Sequence, residues 1–378
     1  MRVAVFDYKA IPNNPIGGCH WRMLRGLCHE HEFTVFAAEF ENPCPERIRY
    51  VHVPAIKRPL ALLFITFHLL APIWYWAHRI RNRVRFDRRQ MVESNLIFGD
   101  VSYSQFCHRK FLRDYRTQIA GSGLAYRLRL LDHWLHARTE RLVYGNVKRI
   151  VVASEGLKRE LSAEYPRMAE KITVIANPVD IERMRRPADF DPAAFRASHG
   201  FQADDVILIF VALGHYERKG LPQLLDAMVK CSNPRLKLMV VGGMGNLVDR
   251  YRGIARSKGL GERVQFAGMQ TDIRPFLWSA DAFALPSFYE VFPLVALEAA
   301  ASGLPLIVTP INGIEEFVVH GYNGVVVQTN VDSIRAGLDQ FLAMDEAARR
   351  RLGENAAISV RKYSVGAFVE SWRAFYAA

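Results

Sequence analysis

The run Ser287-Phe-Tyr-Glu-Val-Phe-Pro-Leu-Val-Ala-Leu-Glu-Ala-Ala-Ala-Ser-Gly303 carries two carboxylates, Glu290 and Glu298, in an otherwise apolar setting. An apolar run ends at Pro286. Pro293 suits the first turn of a helix, where its missing N–H has no intrahelical partner. Glu290 then lies in the loop and Glu298 inside the helix. The free amides and dipole of that first turn favour a phosphate. Leu294, Leu297 and Ala301 form the packing face, with Glu298 at its edge. A carboxylate there needs strong donors, because an unpaired buried charge is costly. A ribose cis-diol offers two hydroxyls to its two oxygens, and Glu290 at the helix mouth can accept from sugar hydroxyls. The alternative of two solvated glutamates fits poorly with the small, apolar neighbours of Glu298.

A second cluster is Leu213-Gly-His-Tyr-Glu-Arg-Lys-Gly220, which follows an apolar run. Arg218 can grip a phosphate through its fork and Lys219 adds a point charge. An Arg-Lys pair on a loop is usually only solvated, but a strand end is where a diphosphate would need neutralising. A third is Pro15-Ile-Gly-Gly-Cys-His-Trp21. Gly17 and Gly18 allow close backbone approach before a helix starts near Cys19, with Lys9 as a nearby cation. A Gly-Gly pair is equally compatible with a simple tight turn. Asp100 and His108 lie where the pattern is hard to read; a histidine can donate, accept or shuttle protons, or serve structure alone. Asp189-Phe-Asp191 matches a metal-binding DxD pattern, but Asp191-Pro192 reads better as an N-cap with proline in the first turn. No metal ligand set is assigned.

The elements that must position these residues alternate. Strands are expected at Val206–Leu213, Leu236–Val241, Val264–Ala267, Ala282–Pro286, Leu306–Thr309 and Gly324–Gln328, with helices between them. Such alternation predicts a parallel sheet covered on both faces, with ligands at the strands' carboxyl ends. The first half begins alike, with strands at Arg2–Phe6, Phe33–Ala37, Tyr50–Val53, Lys148–Ala153 and Lys171–Ile175. The stretch from Arg85 to Ala125 carries no assignment. Domains are expected at 1–182 and 183–360, with a final helix at 361–378 whose Phe368, Trp372 and Phe375 share one face and pack back on the first domain.

The 378 residues, half of them hydrophobic, suffice for two cores. The five scattered cysteines suggest reduced thiols rather than disulfides or zinc. Met1 runs straight into a strand pattern, so no signal peptide is expected. Residues 1–150 hold 24 Lys and Arg against 12 Asp and Glu, whereas the remainder holds 26 of each, so the whole net charge of +12 lies in the first part. Such asymmetry seeks a polyanion or is simply a soluble basic face. Basic strands with interleaved aromatics are lacking, so nucleic acid is not expected.

Glu290 to Glu298, Arg218-Lys219-Gly220 and Gly17-Gly18 together resemble glycosyltransferase family 4, and the loops resemble those of lipopolysaccharide-core glucosyltransferases. The resemblance implies an α/β GT-B fold of two Rossmann-like domains facing across a cleft, and retention of anomeric configuration. It further implies that Glu298 holds the ribose, Glu290 the donor sugar with backbone at Phe292–Leu294, and Arg218 and Lys219 the diphosphate with Gly18 beneath. Backbone around Gly268–Gln270 would meet the base. The family often has Gly-Arg where this chain has Gly214-His215. The donor is expected to be a UDP- or GDP-linked sugar, with no metal or other cofactor. A GT-B epimerase or phosphorylase, and a non-enzymatic basic membrane module, are the alternatives.

Leu60 to Ala77 forms an apolar run of 18 residues flanked by Lys57, Arg58, Arg79, Arg81, Arg83 and Arg85. A spanning helix needs about 20 residues, and this run lies between strands of one sheet. A helix partly sunk in a membrane interface is expected, with Trp74, Tyr75 and Trp76 at headgroup level; a buried core helix is the other reading. With the basic charge, this predicts a cytoplasmic protein on the inner face of the cell membrane, acting on a lipid-linked glycan acceptor.

Overall fold

Short apolar runs become strands buried on both faces. Val3, Ala4, Val5 and Phe6 are all fully buried, as parallel sheets require. The computed structural model of the chain describes residues 1–118 and 123–378. Two compact units emerge: Met1–Pro178 together with Val365–Ala378, and Val179–Ser364. The crossing points lie at 178/179 and 364/365, a few residues from the 182/183 and 360/361 read from the sequence.

Unit 1 opens with β1 (Arg2–Ala10), α1 (Pro15–Leu27), β2 (Glu32–Phe40), β3 (Ile48–His52) and α2 (Leu60–Asn82). It continues with β4 (Arg88–Val92), β5 (Val101–Ser104), α3 (His108–Asp114), α4 (Gly123–Asn146), β6 (Arg149–Val152), α5 (Glu155–Glu164) and β7 (Ile172–Val174). The strands form one parallel sheet in the order β3-β2-β1-β4-β5-β6-β7. The previously unassigned stretch supplies β4, β5 and α3; its residues 119–122 lie outside those described.

Unit 2 begins with α6 (Ile181–Met184) and α7 (Pro192–Ser198), then β8 (Val206–Val211), α8 (Leu221–Lys230), β9 (Leu236–Val241), α9 (Gly245–Ser257) and β10 (Val264–Gly268). α10 (Arg274–Trp278), β11 (Ala282–Leu285), α11 (Leu294–Ala301), β12 (Leu306–Val308), β13 (Gly324–Val326), α12 (Val331–Leu342) and α13 (Glu346–Ser359) complete it. Its parallel sheet runs β10-β9-β8-β11-β12-β13. Both sheets reverse direction beside their first strand, between β1 and β4 and between β8 and β11. The crevice at the carboxyl ends of such a switch point is where open α/β sheets bind ligands.

The chain then returns to unit 1 as α14 (Val365–Ala377), which lies against α1. Trp372 is fully buried and meets Tyr103 edge-on, and the Tyr376 hydroxyl donates to Gln90 Oε1 at 2.7 Å. The five cysteines are free, and the sulfurs of Cys28 and Cys44 lie 2.8 Å apart.

Two expectations change here. Asn14 caps α1 by accepting from Gly17 N, so the helix starts at Pro15 rather than near Cys19. Tyr75 is no headgroup residue. It is buried among the rings of Phe6, Phe36, Phe86 and Phe98. α2 is long and apolar enough to cross a membrane by length and composition, but 33% of its apolar window is buried, against β1, β2 and α4. Its other face exposes Leu62, Leu69, Ile73, Trp76 and Ile80 at helical spacing.

Candidate active site

The loops after β8 and β11, the two strands flanking the unit 2 switch point, bring Arg218, Lys219 and Glu290 together. Lys219 Nζ donates to Glu290 Oε1 at 2.7 Å, and Arg218 Nη1 lies 3.8 Å from the same oxygen. Arg218 Nη1 also donates to Tyr289 O at 3.0 Å, and Phe288 N donates to Arg218 O at 2.9 Å, which ties the two loops by backbone. Gly220 makes this approach possible. Its φ is 79°, and a Cβ there would stand 2.1 Å from Pro286 O. His215 also adopts a left-handed backbone, with φ of 56°, and its carbonyl accepts from Lys219 N, so the residue opens the turn that presents the cations.

The three charged side chains are each 13–16% exposed. Burial pushes the Glu290 carboxyl upward, but Lys219, Arg218 and then His215 outweigh it, and the net shift is downward. Glu290 is therefore an anion held between cations, all facing the switch point.

α11 begins at Leu294 with Pro293 as its cap, one position earlier than the first turn expected for that proline. Proline supplies neither an amide nor a capping side chain. The donors available at the helix mouth are thus the amides of Phe292 and Leu294, not Pro293. The Phe292 ring is buried against Tyr363. Glu298 is half-buried, one turn into a helix whose neighbours Ala296, Leu297, Ala299 and Ala300 are buried.

Other sequence candidates fall elsewhere. Asp191 caps α7, accepting from Ala193 N and Ala194 N, so the DxD pattern is a capping device. Gly17 and Gly18 do not form an open anion cradle in unit 1. Gly17 N is bonded to Asn14 Oδ1 and Gly18 N to Asn14 O, and added Cβ atoms would stand 1.8 Å from Lys9 O and 2.6 Å from Pro12 O. The glycines let the β1–α1 loop fold on itself. Lys9 is paired with Glu39 at 3.0 Å. Asp100 precedes β5 at the amino edge of the sheet, opposite the switch point. Arg89 holds it through Nε at 2.9 Å, Nη2 at 3.1 Å and its backbone N at 2.9 Å. Asp100 is a structural clamp, and its place in the sheet excludes it from the chemistry.

His108 opens α3 after β5, at the carboxyl edge of unit 1. Its Nδ1 lies 3.0 Å from His133 Nδ1, its ring stacks on His136 with centroids 4.3 Å apart, and its Nε2 lies 3.6 Å from Glu93 Oε2. Burial pushes the His108 imidazole down to about 3, so it is neutral near pH 7 and ill suited to carry a proton. Burial and then Glu93 push the Asp132 carboxyl up to about 7, and burial raises Glu93 against the opposing pull of His136. Glu93, Asp132, His133 and His136 escaped the sequence reading. The signal for three of them was Asp132, His133 and His136 at helical spacing on α4.

Residues 21–183 match the profile of Glycosyltransferase Family 4, and residues 191–358 that of Glycosyl transferases group 1. An uncharacterized glycosyltransferase of Methanocaldococcus jannaschii, MJ1607, is 32% identical over 96% of this chain and 95% of its own length. This chain belongs to glycosyltransferase family 4. Its enzymatic class is hexosyltransferase. LpsE, a lipopolysaccharide core biosynthesis glycosyltransferase of Rhizobium meliloti, is 33% identical over 39% of this chain and 42% of that protein. Among solved structures, WaaG, a glycosyltransferase involved in lipopolysaccharide biosynthesis, aligns with a TM-score of 0.78 at 18% identity over 99% of both chains. HepE of Anabaena, solved with UDP-glucose, aligns with a TM-score of 0.70 at 18% identity over 100% of this chain and 99% of that one. These likenesses establish the GT-B fold.

Proposed function

We propose that this glycosyltransferase moves a hexosyl unit from a UDP- or GDP-linked sugar to a hydroxyl of a lipid-linked glycan in cell-envelope polysaccharide or lipopolysaccharide synthesis, with retention at the anomeric carbon. The observation that carries the reading is the Arg218–Lys219–Glu290 cluster at the unit 2 switch point, beside a helix mouth whose proline cap offers no competing acceptor. A diphosphate takes up Arg218 and Lys219 there, and Glu290, released from them, accepts from the sugar hydroxyls. The amides of Phe292 and Leu294 assist. Glu298 accepts from the ribose hydroxyls, and backbone at Gly268–Gln270 meets the base. The complex of HepE with UDP-glucose supports a nucleotide diphosphate donor.

In the reaction the bond from the anomeric carbon to the phosphate oxygen breaks, and the acceptor oxygen forms the new bond. The acceptor proton passes to a leaving phosphate oxygen, and the nucleoside diphosphate departs. Arg218, Lys219 and the helix mouth stabilise its growing charge, so donor chemistry needs no metal. Retention rests on the family resemblance. The acceptor's lipid anchor and a cytoplasmic, inner-face location rest on the outward apolar face of α2 and the basic charge of residues 1–150.

The test is a thermal-shift screen of UDP- and GDP-sugars in EDTA, followed by transfer of the labelled sugar into a membrane lipid fraction. One nucleotide should raise the melting temperature, and its sugar should appear on lipid. No shift with any sugar nucleotide would overturn the donor assignment; transfer only to water-soluble acceptors would overturn the lipid one.

A further inference from the structure

We propose that the side-chain cluster at the carboxyl ends of β4 and β5 is a transition-metal site that takes zinc(II), with Glu93, His108 and His136 as ligands. One ligand atom from each of the three lies within 4.8 Å of the others. Each comes from a different element, and each backbone is held in place. Glu93 follows β4 with a left-handed φ of 51°; its amide donates to Tyr103 O at 2.9 Å and its carbonyl accepts from Ser102 Oγ at 2.8 Å. His108 starts α3, where its amide donates to Glu140 Oε1 at 2.6 Å. His136 lies on α4, and its Nδ1 meets Ser94 Oγ at 2.9 Å.

Two observations point to an ion. The first is an orphan. His108 is 6% exposed, and its Nε2 has no hydrogen-bond partner among the described residues although it lies 3.6 Å from Glu93 Oε2. Its other nitrogen is engaged with His133; in the tautomer that donates from Nδ1, the neutral ring presents a bare Nε2 lone pair beside a carboxylate. A lone pair and a carboxylate oxygen side by side repel unless a proton or a metal cation lies between them. The second is charge. Among the described residues, Glu93 and Asp132 have no Lys or Arg at ion-pair distance; the groups at that distance are His108 and His136, and the other titratable neighbours, Tyr8 and Asp7, bring no positive charge. Two neighbouring buried carboxyls call for a proton or a positive partner.

The ligand chemistry selects the ion. Two imidazoles and a carboxylate suit zinc and related borderline metals rather than calcium or magnesium, which prefer all-oxygen sets. Zinc bonds of about 2.0–2.2 Å imply ligand atoms about 3.3 Å apart in a tetrahedron. The His108–Glu93 pair is near that already, and a small inward movement of His136 closes the set. Asp132 Oδ1, 4.0 Å from His136 Nε2, is placed to complete the coordination or to orient that ring. Ser94 on His136 and His133 on His108 fix the outer nitrogens, as second partners of metal-bound histidines do. An ion here pins α3 and α4 to the ends of β4 and β5.

The full chain, stripped with dipicolinate, is titrated with zinc against a chromophoric chelator, and with cobalt(II) while the visible spectrum is followed. One equivalent should bind, and cobalt should show the intense bands of a four-coordinate site. Glu93→Gln and His136→Asn should abolish that step, Ser94→Ala should weaken it about 10–100-fold, and His29→Asn should leave it unchanged. Absence of stoichiometric binding, or binding undiminished in the ligand variants, would overturn the site. If those variants fail to fold, the wild-type cobalt spectrum decides, since a spectrum identical to the aqueous ion would overturn it equally.

Discussion

Glu290 and Glu93 occupy comparable places in the two sheets, each following the strand that lies next to the first on the far side of the switch point. Both carboxylates are largely withdrawn from water, yet they are displaced in opposite directions: Glu290 downward, Glu93 upward. Burial pushes both the same way. Glu290 differs because Lys219 and Arg218 reach it from the neighbouring loop, whereas the loop facing Glu93 ends in glycines committed to their own turn. The same topology thus yields one site with its positive charge built in and one without.

The comparison breaks most readily at the donor side. Glu290→Gln and Glu298→Ala should each lower turnover about 100- to 1,000-fold, or about 3–4 kcal/mol, with the circular dichroism spectrum unchanged. Wild-type turnover in both would remove unit 2 from the chemistry. Next, Lys219→Ala strands Glu290 as a buried anion with only Arg218 nearby. It should cost about 3 kcal/mol of stability in urea, and a Lys219→Met/Glu290→Leu double variant should recover most of this. A double variant no more stable than the single one would show that the pair is not coupled.

A smaller effect tests the sign of the difference. A carboxyl lowered by folding contributes stability that is present above its unfolded value, about 4.3, and is lost as the pH falls through the lower, folded value. Wild type should therefore lose stability below about pH 4.3 more steeply than Glu290→Gln. In metal-free protein, Glu93→Gln should be neutral or stabilising by about 1 kcal/mol at pH 7, because it removes an uncompensated buried charge. Destabilisation by Glu93→Gln in chelator-treated protein would mean that Glu93 already has an adequate partner. The smallest effect concerns α2. Ile73→Ser with Trp76→Ala should weaken flotation with anionic liposomes at low salt, while Trp74→Ala should matter less because that ring is only half-exposed. No flotation of the wild type would return α2 to the role of a core helix.

The strands of unit 2 were legible because they are continuous apolar runs, and Leu236–Val241 forms as read. β4 and β5 were not, because Gln90, Ser102 and Ser104 interrupt their pattern. Those polar groups are buried but satisfied: Gln90 between His20 and Tyr376, Ser102 by the Glu93 carbonyl, Ser104 by Tyr144. The partners lie far away in sequence, so nothing local marks these segments as strands. Arg218, Lys219 and Glu290 were legible for the opposite reason, since each sits within a few residues of a recognisable strand end. Glu93, His108 and His136 carry no motif spacing and meet only once β4, β5 and α4 are in place. Asp100 misled because an isolated acid in an unreadable stretch says nothing about which edge of a sheet it occupies.

The return of α14 to unit 1 has a consequence for the order in which the protein is made. Unit 2 is continuous in sequence, so all of its residues have been synthesised by Ser364. Unit 1 begins first but waits for Trp372 and Tyr376, which fill its interior beside Tyr103 and Gln90. Until then its first 178 residues must persist with an open apolar seam along α1, the kind of surface on which nascent chains are vulnerable to aggregation. The domain synthesised first is the one completed last.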